Sequence, residues 1–172
     1  MVMLPELLAE GRKVLLFSQL TSMLELIELE LKQRSISWVK LTGKSQKRDE
    51  IIERFTSGAM PLFLISLKAG GVGLNLTQAD TVIHYDPWWN PAVESQATAR
   101  AHRIGQSQRV QVYKLVAQGT IEERMLALQE RKAALADSMY SGSMARKQPL
   151  FTESDLAALL EPLGTVSSRA EN

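Results

Sequence analysis

The chain contains no cysteine, which excludes disulfides and thiolate metal sites and suits a reducing compartment. Its two histidines, His84 and His102, are too few for an imidazole metal cluster. No apolar run is long enough to cross a bilayer, and no segment reads as a signal peptide. An excess of one charge is lacking too. The net charge is +1 over 172 residues, so any nucleic-acid site must be local rather than part of a global basic field. No internal repeat is present. What remains is 45% hydrophobic and 23% charged, an ordinary composition for a domain able to bury a full core.

Hydrophobic periodicity alternates along the chain. Val14–Phe17 is an apolar run of the kind that fills a buried parallel strand. Ser37–Leu41, Leu62–Ser66, Thr81–Tyr85 and Val110–Val116 read as further strands. Between them, Ser22 and Glu25 have capping-box spacing at the head of a helix with Met23, Leu24, Ile27 and Leu31 facing inward. Ser45 is expected to cap a helix carrying Ile51, Ile52 and Phe55 inside and ending at Gly58. Thr120 and Glu123 form another capping box, opening a helix to about Tyr140 with Ile121, Met125, Leu128, Leu135 and Met139 on one side. Thr152 and Asp155 start a short helix with Leu156, Leu159 and Leu160, and the polar tail from Gly164 is expected to be disordered. Strands alternating with helices predict an α/β fold, a parallel sheet covered on both faces, with a C-terminal helical extension. The expected division is 1–140 as one lobe with its closing helix and 141–172 as loop, short helix and tail.

Gly43-Lys44-Ser45 imitates the end of a P-loop. The first glycine of G-x-x-x-x-G-K-[ST] would stand at position 38, which is Trp38. Nor does an acidic box follow a strand to hold Mg²⁺, so the chain lacks the groups that cradle ATP and its metal. A helix opening after Ser45 would still aim backbone N–H groups at an anion, with Lys44, Lys47 and Arg48 adding charge; the same residues suit a solvated first turn. Gly70, Gly71 and Gly73 follow the third strand, where glycine lets N–H groups approach a phosphate closely or simply forms a flexible turn. Ser18 and Gln19 follow the first strand, where ligands meet a parallel sheet.

The most informative segment is Gln96–Gln106, QATARAHRIGQ. Asn90 is a good N-cap and Pro91 a good first helical residue. On that helix Val93, Ala97, Ala101 and Ile104 form one buried stripe, and Gln96, Arg100 and Arg103 a neighbouring one. Two guanidiniums one turn apart can reach one anion together, and their planar forks bind phosphate oxygens in pairs without losing charge. An isolated R-x-x-R reads better as a solvated face; Gln96, Ile104, Gly105 and Gln106 complete a fuller pattern here.

That segment stands between SLKAGGVGLNLTQADTVIHYDPWWNP (Ser66–Pro91) and VQVYKLVAQGTIEERM (Val110–Met125). Together they resemble the C-terminal motor lobe of the Swi/Snf-type DNA-dependent ATPases of helicase superfamily two. The resemblance runs from about Lys13 to about Tyr140, with several motifs in the right order and spacing. It implies a RecA-like three-layer fold. It implies that Arg103 is an arginine finger and Arg100 its partner, with Gln96, Gly71 and Gly73 also at the nucleotide. It places Ser18, Gln19, Thr42, Gly43, Lys44, Lys68, Ala69, Gly70, Asn75 and Trp89 at DNA. The implied cofactor is ATP with Mg²⁺, held chiefly by an N-terminal RecA-like lobe of the same polypeptide, and the isolated chain is expected to be inactive. The implied partners are duplex DNA, that other lobe and a DNA-bound protein target, with no membrane. The location would be cytoplasmic and nucleoid-associated, or nuclear in a eukaryote; the DPWWNP wording points to a bacterial or archaeal member. One departure stands out: many members carry aspartate where this chain has Ala99. His84 reads as a satisfied core histidine and His102 as a support for the arginine helix. A rival reading is a non-catalytic nucleic-acid- or protein-binding module, and a third is an RNA-dependent helicase.

Overall fold

The computed structural model describes residues 2–70, 74–88, 91–99, 101, 109–140 and 152–160, without the side chains of 70, 132–140, 156 and 158. By compactness the chain divides into Met1–Leu115 and Val116–Asn172.

The first unit runs α1 (Met3–Ala9), β1 (Val14–Ser18), α2 (Thr21–Gln33), β2 (Trp38–Leu41), α3 (Arg48–Thr56), β3 (Leu62–Ser66), α4 (Leu67–Gly70), β4 (Thr81–His84), α5 (Pro91–Thr98) and β5 (Gln111–Lys114). Its five strands form one sheet in the order β2-β3-β1-β4-β5, with every pairing parallel. This is the RecA-like α/β arrangement expected from the alternation of strands and helices.

Both faces of the sheet are covered, which is why its central strands are apolar throughout rather than alternating. Leu15 and Phe17 of β1 and Phe63 and Ile65 of β3 join Phe55 of α3 and Ala97 of α5 in one core cluster. Val14, Leu16, Leu62 and Leu64, the opposite pleat, join Leu4 and Leu7 of α1 and Leu24, Ile27 and Leu31 of α2 in another. Fully burying each such side chain stabilises the fold by roughly 1.5–3 kcal/mol.

Several boundaries differ from the sequence expectations. α1 was not anticipated. α2 opens at Thr21 behind Leu20, and no side-chain cap is formed, so Ser22 does not serve as one. Ser45 does not cap α3. Its Oγ accepts the Thr42 N–H at 2.8 Å and its own N–H donates to the Thr42 carbonyl at 3.1 Å, closing a turn at the end of β2. The helix begins two residues later than that cap implies, behind Lys47, whose φ of 53° is left-handed. Gly58 ends α3 as expected, at φ +85°, with its N–H on the Phe55 carbonyl.

In the second unit, α6 (Ile121–Tyr140) and α7 (Glu153–Leu160) both open on side-chain caps, and the one at α7 is reciprocal. Thr120 Oγ1 accepts the Glu122 N–H at 3.2 Å, while the Glu123 carboxylate reaches back to the Gly119 N–H at 2.9 Å. At α7, Thr152 Oγ1 accepts from the Asp155 N–H at 3.3 Å and Asp155 accepts from the Thr152 N–H at 2.9 Å. Met125, Leu128 and Leu159 are buried as expected, whereas Ile121 and Leu160 are exposed. The expected disordered tail lies outside the described residues.

Candidate functional site

In an all-parallel sheet every strand ends at the same edge, and ligands gather there. Here that edge carries Ser18-Gln19 after β1, Thr42-Gly43-Lys44 after β2, the α4 turn after β3, Tyr85-Asp86 after β4 and the end of β5. Of the sequence-predicted residues, Ser18, Gln19, Thr42, Gly43, Lys44, Lys68 and Ala69 therefore lie at this edge, though not all of them face outward.

Asp86 organises the β1 and β4 ends. It is 6% exposed; its Oδ2 accepts the Ser18 hydroxyl at 2.5 Å and its Oδ1 the Gln19 N–H at 2.8 Å. The first distance is typical of a charge-assisted O–H···O⁻ bond. Ser18 Oγ in turn accepts the Leu20 N–H at 3.1 Å. Ser18 is wholly buried, and its hydroxyl is an internal strut between the two strand ends. What that strut holds out is Gln19, half-buried, with its amide on the Pro87 carbonyl.

The β2 end is more open. Thr42 is half-buried, while Gly43 and Lys44 are exposed. A Cβ built on Gly43 meets nothing within 4 Å, and its φ is not positive, so the fold does not require glycine there.

α4 is a single turn opened by Ser66, whose Oγ accepts the Ala69 N–H at 3.3 Å. Lys68 on that turn is exposed and Ala69 is buried. The Ala69 carbonyl accepts the Arg48 guanidinium of α3 at 2.8 Å. Arg48 thus ties the start of α3 to the α4 turn. Asn75 is exposed beyond them.

α5 carries Gln96 exposed and Ala97 buried, as the stripe pattern predicts, with Val93 half-buried; the helix ends at Thr98, and Ala101 beyond it is also buried. Arg100, Arg103, Gly71, Gly73, Trp89, Asn90, His102 and Ile104 lie outside the described residues, and Gly70 only in its side-chain space.

Sequence reasoning missed the group beneath α5. Glu94 is 1% exposed, although a carboxylate in a first helical turn reads as a solvated partner of the helix dipole. Its Oε1 accepts the Trp88 N–H at 2.7 Å. Its Oε2 lies 2.8 Å from Lys114 Nζ of β5, a contact ion pair without hydrogen-bond geometry. One helical turn on, Thr98 Oγ1 meets His84 Nε2 at 2.9 Å. The His84 ring stacks on Phe17, and its Nδ1 is buried without a hydrogen-bond partner, so the histidine is half satisfied rather than fully. Burial pushes the His84 pKa below its ordinary value of 6.5; the Glu94 carboxylate opposes that push and the Lys114 ammonium reinforces it. Above the group, Glu94, Ser95, Thr98, Ala99 and Lys114 line an open cleft of about 310 Å³. An acidic residue three positions after the D-P-W-W-N-P run that follows β4 was the available signal.

Residues 1–105 match the family described as the helicase conserved C-terminal domain. The chain belongs to that family. This helicase C-terminal lobe is 49% identical over 133 residues to an uncharacterized ATP-dependent helicase, MG018, of Mycoplasma genitalium, covering 76% of the chain and 13% of that protein. It is 40% identical to the chromatin-remodeling ATPase INO80 of Mus musculus, over 93% of the chain and 10% of that protein. It is 43% identical to the DNA repair protein RAD5A of Arabidopsis thaliana, over 81% and 14%. Among solved structures, the C-terminal part of the Fun30 ATPase domain aligns at a TM-score of 0.67 and 35% identity, over 70% of this chain and 40% of that one. The lobe is similar to the C-terminal lobe of Swi/Snf-type superfamily-two ATPases, and it spans only about a tenth to a seventh of these relatives.

Among the described residues no group of three or more His, Asp or Glu side chains comes together as a metal site. The edge instead presents ammonium groups, hydroxyls and amides, which suit phosphate oxygens.

Proposed function

We propose that this lobe is one half of an ATP-driven motor tracking along duplex DNA, with Arg103 as arginine finger and Arg100 as its partner. The observation that supports this most is the gathering of half-buried Gln19 with exposed Gly43, Lys44 and Lys68 at one edge of the sheet. These groups read a backbone, not bases, as a motor that must step over any sequence requires. Gly43 supports the same reading, because an external phosphate approaching the backbone would require the glycine that packing does not.

When bound, ATP with Mg²⁺ supplies the phosphoryl group and its counter-charge, and the other RecA-like lobe of the polypeptide holds both. This chain's arginines stabilise the charge that develops on transfer, and its edge residues hold the DNA. Lobe closure on ATP and release after hydrolysis would move the duplex, and with it a DNA-bound protein target. Location follows the DNA: the nucleoid, or the nucleus in a eukaryote.

The test is phosphate release by the two-lobe parent with duplex DNA, single strands, RNA or no nucleic acid, beside this chain alone. Stimulation by duplex DNA is expected, with the isolated chain silent. In the parent, Arg103→Ala should lower kcat by about 10³-fold or more with duplex affinity nearly unchanged. Duplex binding without stimulated turnover would instead identify a non-catalytic module, and stimulation by RNA alone an RNA helicase.

A further inference from the structure

We propose that Glu94 and Lys114 are positioning residues for the arginine segment, clamping α5 to β5 and to the loop that precedes it. This deepens the proposed function and rests on its assignment of Arg100 and Arg103.

The geometry is that of a three-way tie. Glu94 leaves α5 one turn into the helix. Its carboxylate takes the Trp88 N–H with one oxygen and faces the Lys114 ammonium with the other. The three elements so joined are the β4–α5 loop, α5 and β5. The Thr98–His84 bond pins the next turn of the same helix to the end of β4. Two successive turns of α5 are therefore fixed to the sheet immediately before Arg100 in sequence.

Such an arrangement is costly to maintain for stability alone. A carboxylate with a side chain 2% exposed is desolvated, whereas its partner ammonium is 42% exposed and keeps part of its water. An apolar residue at position 94 would pack a helix against a strand at lower cost. What a buried ion pair adds over apolar packing is a single geometry, because the carboxylate has to sit where both the N–H and the ammonium reach it. A finger residue needs that property, since an error of about 1 Å in placing a catalytic group can lower turnover on the order of 10²-fold. Ala99 makes the tie more important in this chain, because the short side chain beside the cleft offers no carboxylate of its own to orient a neighbouring arginine.

The experiment is a kinetic cycle in the two-lobe parent. Lys114→Met, Lys114→Arg and Arg103→Ala are measured singly, with Lys114→Met also combined with Arg103→Ala. Each variant is assayed for duplex-stimulated kcat, KM for ATP, duplex affinity and amide exchange over Pro91–Thr98. Lys114 is partly exposed, so its variants are expected to fold, and the melting temperature checks this. The expected result is a fall in kcat of about tenfold for Lys114→Met with duplex affinity within twofold, faster exchange in α5, and recovery to within threefold of wild type for Lys114→Arg. In the Arg103→Ala background Lys114→Met should change kcat by less than twofold, because the residue it acts through is gone. The same fall in both backgrounds, or no fall in either, overturns the inference. Normal turnover in Arg103→Ala alone overturns the arginine assignment beneath it, a failure visible before the cycle is read.

Discussion

Asp86 offers the sharpest test of how the sheet edge is built. Its two oxygens serve the Ser18 hydroxyl at 2.5 Å and the Gln19 N–H at 2.8 Å, and all three groups sit where two parallel strands end. Asp86→Asn keeps the shape but removes the charge, so the charge-assisted bond from the Ser18 hydroxyl is replaced by a neutral one. Losing one buried charge-assisted bond costs about 1.5–3 kcal/mol. Ser18→Ala removes the other end of that bond and strands the Leu20 N–H, at about 1–3 kcal/mol. Because both changes break the same link, the double variant should lose about 1 kcal/mol less than the sum of the two. Urea denaturation of the chain, read by far-UV circular dichroism, gives all four stabilities. For a chain of this size each kcal/mol moves the melting point by about 3 °C, so a thermal scan is an independent check. A cost below about 0.5 kcal/mol for Asp86→Asn, or additivity within about 0.3 kcal/mol, would refute the strut.

Other consequences are simpler to measure. Lys44→Ala and Lys68→Ala should each weaken duplex binding by the parent equally for all sequences and lower the slope of log affinity against log salt by about one, seen in salt titrations by fluorescence anisotropy. Gly43→Ala should leave the melting temperature unchanged, since its Cβ meets nothing, yet weaken duplex affinity on the order of tenfold; unchanged affinity would remove Gly43 from the interface. His84 is held below its ordinary pKa of 6.5, so the folded state binds fewer protons than the unfolded one at mildly acid pH. Stability should be full above pH 6.5 and fall as pH drops from there towards the lowered folded value. His84→Gln should flatten that slope in urea titrations across pH 5 to about 7.5, and an unchanged slope would assign it to other groups.

The scaffold was legible because its signal is composition as much as pattern. β1 and β3 are apolar at every position, since helices cover both faces, and a run such as Val14–Phe17 admits few other fates. The caps of α6 and α7 were legible too, because both partners of each lie within four residues. Ser45 misled for a related reason. A serine before an acidic, apolar-periodic stretch looks like a cap, but the choice between capping a helix and closing the turn at Thr42 is set by where β2 ends. The sequence pattern also brought out the exposed edge residues, but not which neighbours were buried. Ser18 and Asp86 are 68 residues apart, and Glu94 and Lys114 belong to different elements. A hydroxyl or carboxylate at a strand end is solvated or internal depending on a partner that local periodicity does not reveal.

The strand order also bears on how the chain is made. β1, near the start, lies in the middle of the sheet and pairs with β3 on one side and β4 on the other. During synthesis its run of buried aliphatic and aromatic residues emerges first, and neither neighbour exists until Leu62–Ser66 and Thr81–His84 have followed. Within this lobe, α1 and α2 are the packing partners of Val14 and Leu16 that lie close to them in sequence. Pairing β1 therefore waits on strands that lie dozens of residues later, a non-local closure of the kind that slows folding and leaves an apolar strand open to aggregation.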